Sequence, residues 1–289
     1  MHEPTPESPT DHTLSRRAFL GGAAGLAAGA VLLGSGGVAR AGNQALSPLV
    51  LSSDLYASPD PQRFVFAMAK GPNYASTRPA AVGFAAPGSD RATVQPTRLL
   101  TKGLPKGRGI YVVEATFPVA GVYRSVVETR GRRVPFAVQV KSVAEAPRVG
   151  DAAPRAASPT PAATLGVDPI CTRRPPCPLH TVSLSDVIGT GRPVAVMFAT
   201  PALCQSQYCG PVLDELLAVR APYESRVTFV HVEIYASTKG ATLSPTVQAW
   251  GLPSEPWLYT IAGDGTIVGR LDGALSTPEI TAALARLVA

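Results

Sequence analysis

The sequence predicts two domains, an all-β sandwich followed by an α/β domain, and three observations carry that expectation. Residues 146–164 hold Pro147, Gly150, Pro154, Pro159 and Pro161 among Ala and Ser, which is the composition of a linker or an extended arm. Short apolar runs rich in Val, Phe, Tyr and Thr, broken by Gly and Pro, lie before that stretch. After it, strand-like runs alternate with helix-like ones. Charge divides at the same place. Residues 42–150 carry 14 Lys and Arg against 6 Asp and Glu, and residues 151–289 carry 9 against 11, in a chain of net charge +6.

The amino terminus reads as a targeting segment. Ser15-Arg16-Arg17-Ala18-Phe19-Leu20 resembles a twin-arginine export signal, in which paired arginines precede a weakly apolar stretch. Residues 18–38 supply that stretch, and Ala39-Arg40-Ala41 offers a small-x-small cleavage site. The expected organisation is a signal peptide over 1–41, a β-sandwich over 42–145, a Pro/Ala-rich linker over 146–164 and an α/β domain over 165–289. An uncleaved membrane anchor is the other reading of the apolar run. Export places the chain in an extracytoplasmic setting, a periplasm-like space, the cell envelope or the medium.

In the first domain, strands are expected over 63–69, 80–85, 93–99, 109–116, 121–129 and 134–140, with Gly131 in a turn. Their spacing suits a β-sandwich. Phe117-Pro-Val-Ala-Gly-Val-Tyr123 resembles a turn of bacterial immunoglobulin-like domains, where Gly opens a strand and Tyr packs at the corner. This half has no Cys, no His and no catalytic constellation. Its basic balance suits attraction to an envelope or membrane surface, or is a solvated face. Scattered rather than clustered basic residues, in an exported chain, argue against nucleic acid.

In the second domain, 193–198 is an apolar strand and 210–219 a helix with Leu213, Leu216 and Leu217 on one face. Residues 226–234 form a second strand that turns His231 and Glu233 to one side. His231 reads as a satisfied core or edge histidine, and Glu233 as a candidate proton acceptor. A short helix over 244–250 has Ser244 as candidate N-cap and Pro245 at its first position. Strands over 257–261 and 266–271 flank Ala262-Gly263-Asp264-Gly265 as a hairpin. Thr277-Pro278-Glu279 opens a last helix with Ile280, Leu284 and Leu287 on one face.

Four cysteines in an exported chain are expected to be oxidised. Of three pairings, close spacing favours Cys171 with Cys177 and Cys204 with Cys209. Five residues apart on a regular helix, Cα atoms lie about 8 Å apart, beyond the roughly 7 Å a disulfide spans. Cys204 must therefore precede the helix, or the first turn must unwind, and such a bond is labile. Its position between strand and helix favours thiolate character. Cys171 and Cys177, in Cys-Thr-Arg-Arg-Pro-Pro-Cys-Pro, read as a structural disulfide. A second redox pair, or a metal site with His180, are the alternatives.

From about Thr181 to Ala289 the chain resembles the thioredoxin-like superfamily, especially its exported members. Thr181-Val-Ser-Leu-Ser-Asp-Val187 resembles the leader before the first core strand, and Gly210-Pro-Val-Leu-Asp-Glu-Leu216 the helix after the active site. Glu255-Pro256 before Trp257-Leu-Tyr-Thr-Ile261 resembles the position of the family's cis-proline. The resemblance implies that Pro256 faces the redox disulfide and binds substrate backbone. The departure is the spacing, Cys-x4-Cys instead of Cys-x-x-Cys. Thr200-Pro201-Ala-Leu-Cys204 with Cys209-Gly210 partly resembles one peroxiredoxin subgroup, with the threonine displaced by one. Copper chaperones of this superfamily use Cys-x-x-x-Cys and a distant His.

The expected function is thiol–disulfide exchange on extracytoplasmic proteins, with Cys204 attacking, Cys209 resolving and an unidentified electron donor. No cofactor and no resident metal are expected. A non-catalytic binding module with structural disulfides, a thiol peroxidase and a copper chaperone are the alternatives.

Overall fold

The computed structural model describes residues 45–71, 73–76, 78–203 and 208–289. The expected signal peptide and Cys204 lie outside them. Among the described residues no helix is long and apolar enough to cross a membrane.

The first unit stacks two antiparallel sheets. One contains β1 (Leu46–Val50), β2 (Ser58–Lys70), β7 (Ile110–Phe117) and β6 (Arg98–Leu100) in that order, with β3 (Asn73–Tyr74) paired to β2. The other runs β5 (Thr93–Pro96), β4 (Ala81–Ala85), β8 (Gly121–Thr129), β9 (Arg132–Val140). Phe64, Phe66, Met68, Tyr111, Phe117 and Tyr123 fill the space between them. Tyr123 donates its hydroxyl to the Val119 carbonyl (3.0 Å) beside Gly121, whose φ of 130° suits glycine. β1 and β3 are strands that the apolar pattern did not single out. β1 begins at the edge of the described chain, and β3 is only two residues long.

β2 explains why its Phe-Val-Phe-Ala-Met-Ala run does not alternate. Phe64, Phe66 and Met68 point into the sandwich, while Val65 joins a different core shared with the second unit. Ile110 and Val112 of β7 do the same. A strand buried on both faces reads as a continuous apolar run. Each such side chain contributes about 1.5–3 kcal/mol of burial.

The second unit has a four-stranded sheet in the order β11 (Thr228–Val232), β10 (Val194–Phe198), β12 (Trp257–Ile261), β13 (Ile267–Asp272). β10 and β11 are parallel, and the other two pairings are antiparallel. Helices α2 (Cys209–Val219) and α4 (Thr277–Leu287) share a core with one face. α1 (Leu184–Val187) and α3 (Pro245–Trp250) share a core with the other. From β10 onward this is the β-α-β-α-β-β-α order expected from the sequence. Ser244 is the N-cap of α3 with Pro245 in the first turn, as expected, but its hydroxyl donates to the Glu233 carbonyl (2.7 Å) instead of capping the helix.

Residues 146–164 are not a free linker. Gly150 and Ala153 donate to Ile267 and Gly265 carbonyls (2.8 and 2.9 Å), and Ile267 donates back to Asp151 (3.0 Å). Ala146 and Ala153 are buried under the α1/α3 face. The stretch is an arm laid along β13, and its Pro and Ala content suits an extended segment with few side chains to accommodate.

The two units are joined by buried charges. The Arg63 guanidinium donates to Glu279 Oε1 (2.8 Å) and to the carbonyls of Asp272 (2.6 Å) and Ala274 (2.7 Å). Glu279 Oε2 accepts from the Ser276 amide and hydroxyl, fixing the start of α4. Burial opposes ionisation of Glu279. Arg63 and the Ser276 hydrogen bonds outweigh it and hold the carboxyl below the usual range. Asp54, fully buried, pairs with Lys141 of the first unit and Arg270 of the second.

Candidate functional site

The parallel strands β10 and β11 end on the same side, and the chain after β10 turns there into α2. Cys209 is the first residue of that helix, fully buried and disulfide-bonded. A sulfur at this position faces the positive end of the helix dipole. Glu255 Oε2 lies 3.4 Å from Cys209 Sγ and accepts the Thr200 amide (3.2 Å). The Glu255–Pro256 peptide bond is cis, as the resemblance implied. Pro256 thus stands next to the residue that touches Cys209.

The first unit reaches this corner. Tyr74 of β3 meets Tyr208 edge-on with ring centroids 5.9 Å apart, and the Arg108 guanidinium lies 4.9 Å from the Tyr74 ring centre. Tyr208 is fully buried, and burial pushes its phenol well above the ordinary value.

Cys171 and Cys177 correct the sequence expectation of a structural disulfide, because both are free and buried. They converge with His180 and His231 so that the four ligand atoms lie within 4.8 Å of one another. Cys177 Sγ is 3.4 Å from both His180 Nε2 and His231 Nδ1, and those nitrogens are 3.1 Å apart. Cys171 Sγ is 3.9 Å from His231 Nδ1 and accepts the Cys177 amide at 3.3 Å. The hydrogen bond from Cys177, helped by both histidines, outweighs burial and draws the Cys171 thiol far below its ordinary value. Cys177, donating that bond from a buried position, is pushed up.

Local folding explains the convergence. Residues 171–180 carry few backbone partners of their own and are tied to the sheet. The His231 amide donates to the Leu179 carbonyl (2.9 Å), Thr172 donates to Glu233 Oε1, and the Ala202 amide donates to Thr172 Oγ1 (3.1 Å). His231 and Glu233 do share one side of the sheet, as alternation predicted. Burial raises the Glu233 carboxyl, and His231, Thr172 and Thr200 offset only part of that rise.

Among the predicted site residues, Cys209 and Pro256 are brought together, while Cys171 and Cys177 meet as thiols. The sequence alternative of a metal site with His180 did not include His231, which the structure brings into the same cluster. The available signals were Cys177-x2-His180 and a histidine inside an apolar strand.

No family model and no curated protein matches the chain. Among solved structures it is similar to a Chlorobium tepidum protein assigned as a thiol:disulfide interchange protein, DsbE. Identity there is 20%, over 47% of this chain and 98% of that one, with a TM-score of 0.34. It is also similar to a thioredoxin-like superfamily protein, at 15% identity over 37% of this chain and 85% of that one, with a TM-score of 0.30.

Proposed function

We propose that the protein is an exported thiol–disulfide oxidoreductase whose working pair is Cys204 and Cys209. One observation carries this reading: a disulfide-bonded cysteine opens α2 directly beside the carboxylate that precedes cis Pro256. Cys204, before the helix, is the attacking thiolate. It displaces one sulfur of a substrate disulfide, forming a mixed disulfide and releasing the first substrate thiolate. Cys209 then attacks Cys204 Sγ, closing the Cys204–Cys209 bond and releasing the second thiolate. Two electrons pass from the dithiol to the substrate, and the reverse sequence oxidises a substrate dithiol.

The buried position of Cys209 suits the resolving role, since substrate needs to reach only the first sulfur. In this reading an extended substrate segment lies against Pro256, whose own carbonyl is taken by the Gly273 amide (2.9 Å). Substrates are extracytoplasmic protein thiols and disulfides. The immunoglobulin-like first unit, basic and wedged against Tyr208, positions the site at the envelope or against a partner.

The test is exchange with a disulfide-bonded peptide, together with redox titration and peptide mapping. Cys204→Ser abolishes exchange, and Cys209→Ser accumulates mixed disulfide. A Cys204–Cys209 potential above about −250 mV marks a working pair. A potential below roughly −300 mV, the range of structural disulfides, or full activity in Cys204→Ser, overturns the assignment.

A further inference from the structure

We propose that Cys171, Cys177, His180 and His231 hold one zinc ion, in a site built from the arm of residues 171–180 and strand β11. Zinc bonds of about 2.3 Å to sulfur and 2.0–2.1 Å to nitrogen, in a tetrahedron, place ligand atoms about 3.3–3.8 Å apart. Four of the six separations, 3.1, 3.4, 3.4 and 3.9 Å, fall around that range, and all six lie within 4.8 Å. All four side chains are buried, with His231 fully so. Two sulfurs and two nitrogens at one point, with no solvent-facing position, form the closed ligand set of a structural site.

Proton placement supports the same conclusion. His231 Nε2 lies 3.0 Å from the Ala199 carbonyl, which can only accept, so Nε2 carries the hydrogen. In the neutral ring, Nδ1 is then a bare lone pair directed at Cys177 Sγ and His180 Nε2. A carbonyl behind the ring that fixes its tautomer is the usual support for a metal-bound histidine. The Cys177 amide does the corresponding service for Cys171 Sγ.

Charge selects the ion. Two thiolates and two neutral imidazoles carry −2, and a divalent cation brings the buried cluster to zero. A monovalent copper ion would leave a net negative charge in an apolar core that tolerates it poorly. Soft sulfur ligands with imidazole in a tetrahedron suit zinc among divalent ions. The site also keeps Cys171 and Cys177 from joining in exchange at Cys209. It stands apart from the oxidoreductase reading and does not need it.

The experiment uses the full chain carrying Cys204→Ser and Cys209→Ser, so that no other thiol contributes. After gel filtration, elemental analysis finds about one zinc per chain, and an organomercurial that caps the thiols releases it to a chromogenic chelator. Cobalt(II) substitution gives the intense visible bands of a tetrahedral ion with a thiolate charge-transfer band. Adding Cys177→Ser or His231→Ala loses the zinc during filtration. Because those variants risk misfolding, the cobalt spectrum of the otherwise unaltered site is the deciding measurement. An octahedral cobalt spectrum, retention of copper(I) but not zinc, or a Cys171–Cys177 disulfide in the freshly isolated chain overturns the proposal.

Discussion

Arg63→Ala is the sharpest test of how the two units are held together. The guanidinium makes three hydrogen bonds across the boundary, at 2.6, 2.7 and 2.8 Å, and the Arg63 and Glu279 side chains are each 7% exposed. Charge-assisted bonds are worth about 1.5–3 kcal/mol each, but three that share one cation do not add. Removing one partner of a buried pair costs about 3–5 kcal/mol, because the other charge stays behind. That is the loss expected for Arg63→Ala. Urea unfolding at neutral pH reads it through Trp250 and Trp257, both buried in the second unit. Adding Glu279→Gln to the Arg63→Ala chain should restore part of the loss, since no stranded carboxylate remains. The pH dependence has a definite sign. The Glu279 carboxyl is depressed in the folded chain, so its contribution is complete above the unfolded value of about 4.3 and fades as pH falls through the folded value. The gap between wild type and Arg63→Ala therefore narrows in acid. A loss under about 1 kcal/mol, the range of an exposed pair, or a gap that widens in acid, would refute the reasoning.

Other perturbations test separate parts of the account. Gly273 has φ of 69°, and a Cβ there would sit 2.4 Å from the Leu51 carbonyl. Gly273→Ala should cost at least about 1 kcal/mol, read as a lower melting temperature. Trp250→Ala empties the contact with Phe198 and Tyr259, whose ring centroids lie 4.9 Å away. It should cost about 3–5 kcal/mol in urea unfolding. Ser158 accepts the Leu184 amide through its hydroxyl (2.9 Å) and donates its own amide to Ser183 Oγ (2.8 Å). Ser158→Ala should cost about 1–3 kcal/mol and quicken proteolysis near residue 158 while leaving the first unit intact.

The strand and helix order of the second unit was legible because its central strands β10 and β12 are short continuous apolar runs and its longer helices carry an apolar face. The 257–261 and 266–271 hairpin and the final helix needed only local information. The arm was harder to read: its hydrogen bonds go to Gly265 and Ile267, more than a hundred residues away, and composition alone cannot tell a tether from a bound strand. Separation in sequence also hid the four-ligand cluster. Cys171, Cys177 and His180 lie close in sequence, but His231 joins them only through the pairing of β11 with residue 179. With three ligands visible and a disulfide-like spacing, oxidation was the simpler reading. Cys209 was read from its place between strand and helix and Pro256 from a resemblance, and the Glu255 carboxylate that lies between them in the structure had no such signal.

The connecting segment has a consequence for what can approach the second unit. Its earlier part pairs with β13 at residues 150–153, and its later part meets β11 through the Leu179 carbonyl and the chain beyond β11 through the Asp168 bridge to Ser237. β13 and β11 are the two borders of the four-stranded sheet. Open borders invite another chain to add a strand, which drives both aggregation and peptide capture by β-augmentation. One continuous piece of backbone occupies positions on both borders. At those positions no further strand can add to the sheet, so the chain shields its own borders from within.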